Sequence, residues 1–124
     1  DLAQQLQYAA VFAYPNTWEE TSCIALIEAM SAGCIPVISD LGALPETSYN
    51  RAHIIKLDKD FDDNFVKACV SQLLLLKENP KQFTHNSNNI AQIASYYSWE
   101  FVSESWNKFF NHLIGDFKCQ IAQN

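Results

Sequence analysis

The chain has 124 residues, enough for one domain at most. Hydrophobic residues make up 48% and charged residues 18%, which excludes a disordered chain and predicts a packed core. The formal net charge of −6 argues against a nucleic-acid partner, because phosphate-backbone binding needs clustered Lys and Arg.

In chain order, Leu2, Leu6 and Ala9 fall at helical spacing and predict a short helix over 2–9. Val11 to Tyr14 is a compact apolar run ended by Pro15, which predicts a buried strand. Residues 24–32 read as a helix, apolar on nearly every face, with Glu28 its one charge; a buried helix is expected. Gly33 can take the left-handed position that ends it, and Pro36 comes shortly after. Ile35 to Ile38 predicts a second strand. Asp40 to Glu46 reads as a loop holding Gly42 and Pro45, and His53 to Leu57 as a third strand. Asp60 is expected to cap a helix with Phe61, Phe65, Ala68, Cys69, Leu73 and Leu76 on its apolar side. Pro80 opens a further helix, polar at Asn86, Ser87, Asn88 and Asn89 and so wet on one side. Ser98 is expected to cap the last helix. Its stripe of Trp99, Val102, Trp106, Phe109, Phe110 and Leu113 reads as core, its tryptophans included.

The four cysteines, Cys23, Cys34, Cys69 and Cys119, form no C-x-x-C pair, and the three histidines are scattered. No metal site is expected. The cysteines read as small core residues in a reducing, cytoplasmic compartment, with a peripheral position at the inner face of a membrane as an option. No apolar run approaches the roughly 20 residues that span a bilayer. No starting Met and no signal-peptide pattern occurs, and the chain opens in mid-pattern, as a fragment or trimmed domain would.

Short apolar strands separated by helices predict an α/β fold with a Rossmann-like, doubly wound parallel sheet. Three strands are too few for the whole sheet. In the order 3-2-1-4-5-6 they are the last three, and the strand 11–14 then borders the topological switch point where ligands bind.

Glu20 and Glu28 stand eight positions apart beside that point. Thr21 or Ser22 is expected to cap the helix carrying Glu28. Its first turn offers free N–H groups that suit a pyrophosphate without a basic side chain. One acid can accept hydrogen bonds from ribose hydroxyls and the other from a donor sugar. No Lys or Arg precedes Arg51, the only Arg, so cations for such a ligand must come from elsewhere. The plainer alternative is a capping acid plus a partly exposed helix Glu. Against it stand the apolar neighbours of Glu28, Ile24, Leu26, Ile27, Ala29 and Met30, since a charge in that setting needs a partner. Glu19 is the rival for the first acid. Gly42 reads equally as a turn residue or a ligand-facing one, and Glu46 as a cap for the segment after it.

The window resembles the glutamate-x7-glutamate motif of the GT-B glycosyltransferases, particularly the large retaining group 1 family. Pro15-Asn16 stands at the family's Pro-Ser and Glu20 at its first glutamate. The run Glu28-Ala29-Met30-Ser31-Ala32-Gly33-Cys34-Ile35-Pro36-Val37-Ile38 matches its Leu-Glu-Ala-Met-Ala-x-Gly-x-Pro-Val-Val, Gly42 to Glu46 its Gly-Gly-x-x-Glu, and Ser98-Trp99 the Ser-Trp of its final helix. The strong match covers residues 11–46. The resemblance implies that residues 1–124 are part of a C-terminal nucleotide-sugar-binding lobe, the C-terminal half of a GT-B lobe. It implies a glycosyltransferase, retaining and metal-independent, using a UDP- or GDP-sugar as donor substrate and no cofactor. Glu20 would meet the donor sugar or its phosphates, the backbone at Thr21, Ser22 and Cys23 the diphosphate, and Glu28 the ribose. The family's Gly-Phe-Gly is Thr21-Ser22-Cys23 here, which removes two glycines that allow close backbone approach. The acceptor (glycan, lipid or protein), the basic residues and the catalytic groups would lie in upstream parts of the enzyme, so no catalytic residue is assigned. A GT-B-fold nucleotide-sugar epimerase and a non-catalytic nucleotide-sugar-binding module are the alternatives.

Overall fold

The computed structural model describes the backbone of residues 1–121 and side chains through residue 114, so the Cys119 side chain lies outside the described residues. Six helices and three strands alternate as α1 (Leu2–Tyr8), β1 (Val11–Tyr14), α2 (Ile24–Ser31), β2 (Ile35–Ser39), α3 (Leu44–Thr47), β3 (His53–Ile55), α4 (Phe61–Glu78), α5 (Pro80–Ala94) and α6 (Trp99–Ile121), with a 3-10 turn at Ser95–Tyr97. The chain divides into two compact units, Asp1–Ala94 and the segment from Ser95 onward.

In the first unit the strands form one parallel sheet in the order β1-β2-β3. That is the sequential order expected of the last three strands of a Rossmann-like sheet. Val11 aligns with Ile35, Tyr14 with Ile38, and Ser39 with Ile55. Every residue of β2 is buried, as a central parallel strand covered on both faces requires. On one face Phe12, Tyr14, Ile38 and Ile54 pack with Leu26 and Met30 of α2 and Phe83, Ile90 and Ala94 of α5. On the other, Val11, Val37 and Ile55 pack with Phe61, Phe65, Ala68 and Cys69 of α4.

Several expectations need correction. β1 is not the buried strand expected: Val11, Phe12 and Tyr14 are partly exposed and Ala13 is exposed, because β1 lies at one edge of the described sheet. The loop over 40–46 is interrupted by α3, one short turn with Pro45 near its start, where the ring's fixed φ suits a helix. The third strand ends at Ile55, two residues early. Asp60 does precede α4 but makes no side-chain cap bond. The inward side of α4 continues from Phe65, Ala68 and Cys69 to Gln72 and Leu75, while Leu73 is 51% exposed and Leu76 is exposed too. The Leu73–Leu76 run puts leucine on every face, so only the 3.6-residue phase identifies the buried side, and that phase selects Gln72.

α2 is not a buried helix. Leu26, Ala29 and Met30 are buried, with Cys23 just before them, while Ile24 is 69% exposed and Ala25, Glu28 and Ser31 face solvent. The helix packs on α5 and, more lightly, on α1, and these neighbours cover one side of it. Gly33 ends it with φ +85°, its N–H donating to the Met30 carbonyl. Ser87, from the polar middle of α5, donates its hydroxyl to the Gly33 carbonyl at 2.6 Å.

In the second unit, Ser98 caps α6 as expected, its Oγ accepting the Phe101 N–H at 3.2 Å. The aromatic stripe of α6 is not core: Trp99 is 85% exposed, and Trp106, Phe109, Phe110 and Leu113 are each about half exposed. A single helix has no apolar surface of its own to bury them, so the rings meet one another. Trp106 stacks on Phe110 at 5.4 Å and meets Phe109 edge-on at 5.8 Å.

A side chain at position 33 would be strained twice. The backbone is left-handed, and a Cβ there would lie 2.6 Å from Ser87 Oγ. Gly33→Ala is expected to cost about 1–2 kcal/mol, a fall of roughly 4–10 °C in melting temperature. An unchanged melt would show that the α2–α5 junction yields freely.

Candidate functional site

β1 delivers the chain to the carboxyl end of the sheet, and Pro15 stops further pairing because it has no N–H. The next residue, Asn16, is only 2% exposed. Its Oδ1 accepts the Trp18 N–H at 3.0 Å, and its Nδ2 donates to the Trp18 carbonyl at 2.7 Å. This two-way clamp is a local turn built from one side chain. It folds residues 16–20 back toward the strand that they left.

The fold-back brings Glu20 to Tyr14. The Tyr14 hydroxyl donates a short hydrogen bond to Glu20 Oε1, and Asn16 Nδ2 points at the same oxygen from 3.5 Å. The backbone of Glu20 is held as well. Its carbonyl accepts the Ala43 N–H at 2.9 Å. Gly42, at φ +53°, approaches so closely that a Cβ there would lie 2.8 Å from the Glu20 nitrogen and 2.9 Å from its oxygen. Gly42 is thus neither a mere turn residue nor shown facing a ligand: its missing side chain lets two loops touch.

These contacts fix charge states. The Tyr14 hydroxyl and then the Cys23 thiol hold the Glu20 carboxyl below the usual carboxylate range; burial opposes them, and Trp18 adds a smaller pull downward. The bond to Glu20 also pushes the Tyr14 phenol up to about 12, with burial and the nearby negative charge adding to it. Burial pushes the Cys23 thiol up; the nearby Leu26 N–H opposes this, without the geometry of a cap.

The remaining expected residues fall into two groups. Thr21 and Ser22 are exposed and do not cap α2. The N-cap is Cys23, extended at φ −107°, and no side chain makes a cap bond. The helix starts beyond the hydroxyls because the Cys23 side chain turns inward to join Leu26 and Met30. The first turn of α2 is therefore uncapped at an exposed end, since Ile24 and Ala25 face solvent. Glu28 is exposed, so its apolar neighbours do not demand the buried partner expected for it. It lies roughly 6 Å along the axis from Ile24 and lines a groove of about 580 Å³ between α1 and α2. Leu2, Leu6 and Ile27 form the apolar part of that groove, with Asp1, Gln7 and Ser31 beside Glu28. Glu20 does not line it. Glu19 is exposed; its Cα shares the Gly42 approach, 3.2 Å from a Cβ built there, while the bonds to Tyr14 and Asn16 are made by Glu20. Glu46 lies exposed within α3.

Sequence reasoning missed Tyr14 and the side-chain role of Asn16. Asn16 carried a signal, since Asn after Pro at a strand end favours a side-chain-built turn. Tyr14 carried none beyond being an aromatic residue in a strand.

Among the described residues, no group of three His, Cys, Asp or Glu side chains could hold a metal ion, and no helix is long and apolar enough to cross a membrane.

The two shifts set the sign of the pH dependence. The raised Tyr14 pKa contributes stability that is complete below about pH 10 and is lost as pH rises toward about 12. The lowered Glu20 pKa contributes stability present above the ordinary carboxylate range and lost as pH falls through it. An ultraviolet absorbance titration is expected to show a phenolic ionisation near pH 12 that vanishes in Tyr14→Phe. The same alkaline ionisation in both proteins would contradict the Tyr14–Glu20 bond.

The family model described as "Glycosyl transferases group 1" matches residues 1–74, which include the sheet, the α2 window and the whole Tyr14–Glu20–Gly42 cluster. No curated protein and no solved structure matches the chain at a significant level. The parallel α/β sheet agrees with the family assignment. With three fifths of its length matched, the chain belongs to the group 1 glycosyltransferases.

Proposed function

We propose that residues 1–124 form part of the donor-binding lobe of a GT-B glycosyltransferase that moves a sugar from a nucleotide sugar to an acceptor. The observation that carries this reading is an anchored carboxylate, Glu20, beside an uncapped and exposed helix N-terminus at the carboxyl end of a parallel strand. Ligands of open α/β sheets bind at such strand ends.

Each part has a chemical use. The first turn of α2 carries a partial positive charge at its free amides, and its residues Ile24 and Ala25 are exposed, so a diphosphate can take hydrogen bonds there. Glu20, ionised and fixed, accepts a hydroxyl of the donor sugar. Glu28, one turn along the helix and open to the α1–α2 groove, accepts the ribose hydroxyls. Thr21 and Ser22 are exposed, and their hydroxyls offer contacts in place of the backbone approach that the family's glycines permit. Glycosyl transfer needs the leaving diphosphate stabilised. No Lys or Arg precedes Arg51, so its cations come from parts of the enzyme outside this chain. A retaining, metal-independent reaction and a cytoplasmic site of action belong to the same proposal.

The exposure of Glu28 sharpens its test. Glu28→Ala removes no buried group, so stability should change by no more than about 0.5 kcal/mol. Isothermal titration calorimetry of the full-length enzyme against UDP- and GDP-sugars is expected to show affinity reduced by about tenfold or more, the worth of a hydrogen bond to a charged group. Unchanged affinity with the fold intact would remove Glu28 from the donor site.

A further inference from the structure

Glu20 is held more completely than a surface acid needs. Its backbone is pinned by Ala43 and crowded by Gly42, and its carboxylate receives Tyr14 and Asn16 at one oxygen. Tyr14 is itself locked. Its ring stacks on Phe12 at 5.5 Å and meets Trp18 edge-on at 6.5 Å, and Trp18 is clamped by the buried Asn16. The Tyr14 side chain therefore cannot leave Glu20 without breaking a stack.

We propose that Tyr14 is a positioning residue for donor-sugar recognition: its hydroxyl binds Glu20 Oε1 and so turns Oε2 of the same carboxylate toward a donor-sugar hydroxyl. This rests on the donor-site reading above and deepens it. A free carboxylate can serve two hydroxyls. Here both the phenol and the Asn16 amide converge on Oε1; the Cys23 thiol and Trp18 also reach the carboxylate, and Oε2 accepts neither of the two bonds made at Oε1. The same phenol favours the ionised carboxylate, so positioning and charge are coupled. The titratable groups facing Glu20 are Tyr14 from β1 and Cys23 from the start of α2; the loop before α3 contributes the Ala43 N–H and Gly42.

The test uses the full-length protein, with UDP-glucose and GDP-mannose as donor probes and UDP and GDP as sugar-free controls, titrated calorimetrically from about pH 3 to 8. Tyr14→Phe keeps the ring stacks and removes only the hydroxyl. It is expected to weaken binding of the preferred nucleotide sugar by about two- to tenfold, the worth of one hydrogen bond. Binding of the bare diphosphate should stay constant. The acid limb of sugar binding should move to higher pH, because Glu20 then protonates more easily. Equal weakening of sugar and diphosphate, or an unmoved acid limb, overturns the positioning role. Glu20→Gln separates the two levels: if it weakens sugar binding while Tyr14→Phe changes nothing, only the Tyr14 role falls. If it has no effect, or if neither probe binds the wild type, the donor reading of Glu20 falls and takes the Tyr14 role with it. Should Tyr14→Phe fail to fold, the carboxyl ¹³C resonance of Glu20 in the wild type decides. Titration below the ordinary carboxylate range supports the bond, and titration within that range overturns it.

Discussion

Parallel strands cannot be joined by a tight turn, and that constraint organises the molecule. β1 must leave the sheet at its carboxyl end, cross over through α2, and re-enter beside itself as β2. Nine residues, Pro15 to Cys23, fill the space between strand end and helix start. Their position at the carboxyl edge is dictated by the sheet, whatever their sequence. Their shape is not, because no ladder or helix supplies their hydrogen bonds. Side chains and the neighbouring β2–α3 connection do so.

Three residues meet that need, and each acts on Glu20. Asn16 closes the first part of the loop on Trp18, Tyr14 reaches up from the last position of β1, and Gly42 lets the β2–α3 connection touch the Glu20 backbone. A half-buried carboxylate is costly unless hydrogen-bonded. Tyr14 and Asn16 offset that cost, and the same contacts keep the acid ionised. The bonds that hold the loop thus also favour the ionised carboxylate. Glu28 is the opposite case. One-sided packing leaves it exposed on α2, where it costs the fold little and is open to a ligand.

The positions of the three strands, the presence of α2, the glycine that stops it and the Ser98 cap were legible in the sequence; the cap of α2, the end of β3 and the exposure of β1 were not. Each legible feature depends on local apolar runs or local capping chemistry. The family was legible because many motif positions fall in register between 11 and 46. Features set by tertiary neighbours were not. The apolar run around Glu28 suggested full burial, but burial depends on what packs against a helix, and α1 and α5 cover only one side. The leucines of α4 carried no phase, so Gln72 went unnoticed. Gly42 permits contact with a residue 22 positions away, which no turn rule anticipates. Tyr14 owes its role to a loop that returns to it. Trp99 and Trp106 have the spacing of a core stripe, yet spacing alone cannot say whether another surface covers them.

Hydrogen–deuterium exchange of the full-length enzyme, with and without a nucleotide sugar that it binds, tests most directly whether the loop and α2 N-terminus form a wall of the donor site. Binding at this wall should slow exchange at the amides of Thr21 to Ala25, around the start of α2, whose N-cap makes no side-chain bond. It should leave the outer face of α5 unchanged. Protection elsewhere, with residues 20–28 exchanging as before, would contradict a donor site on this part of the fold.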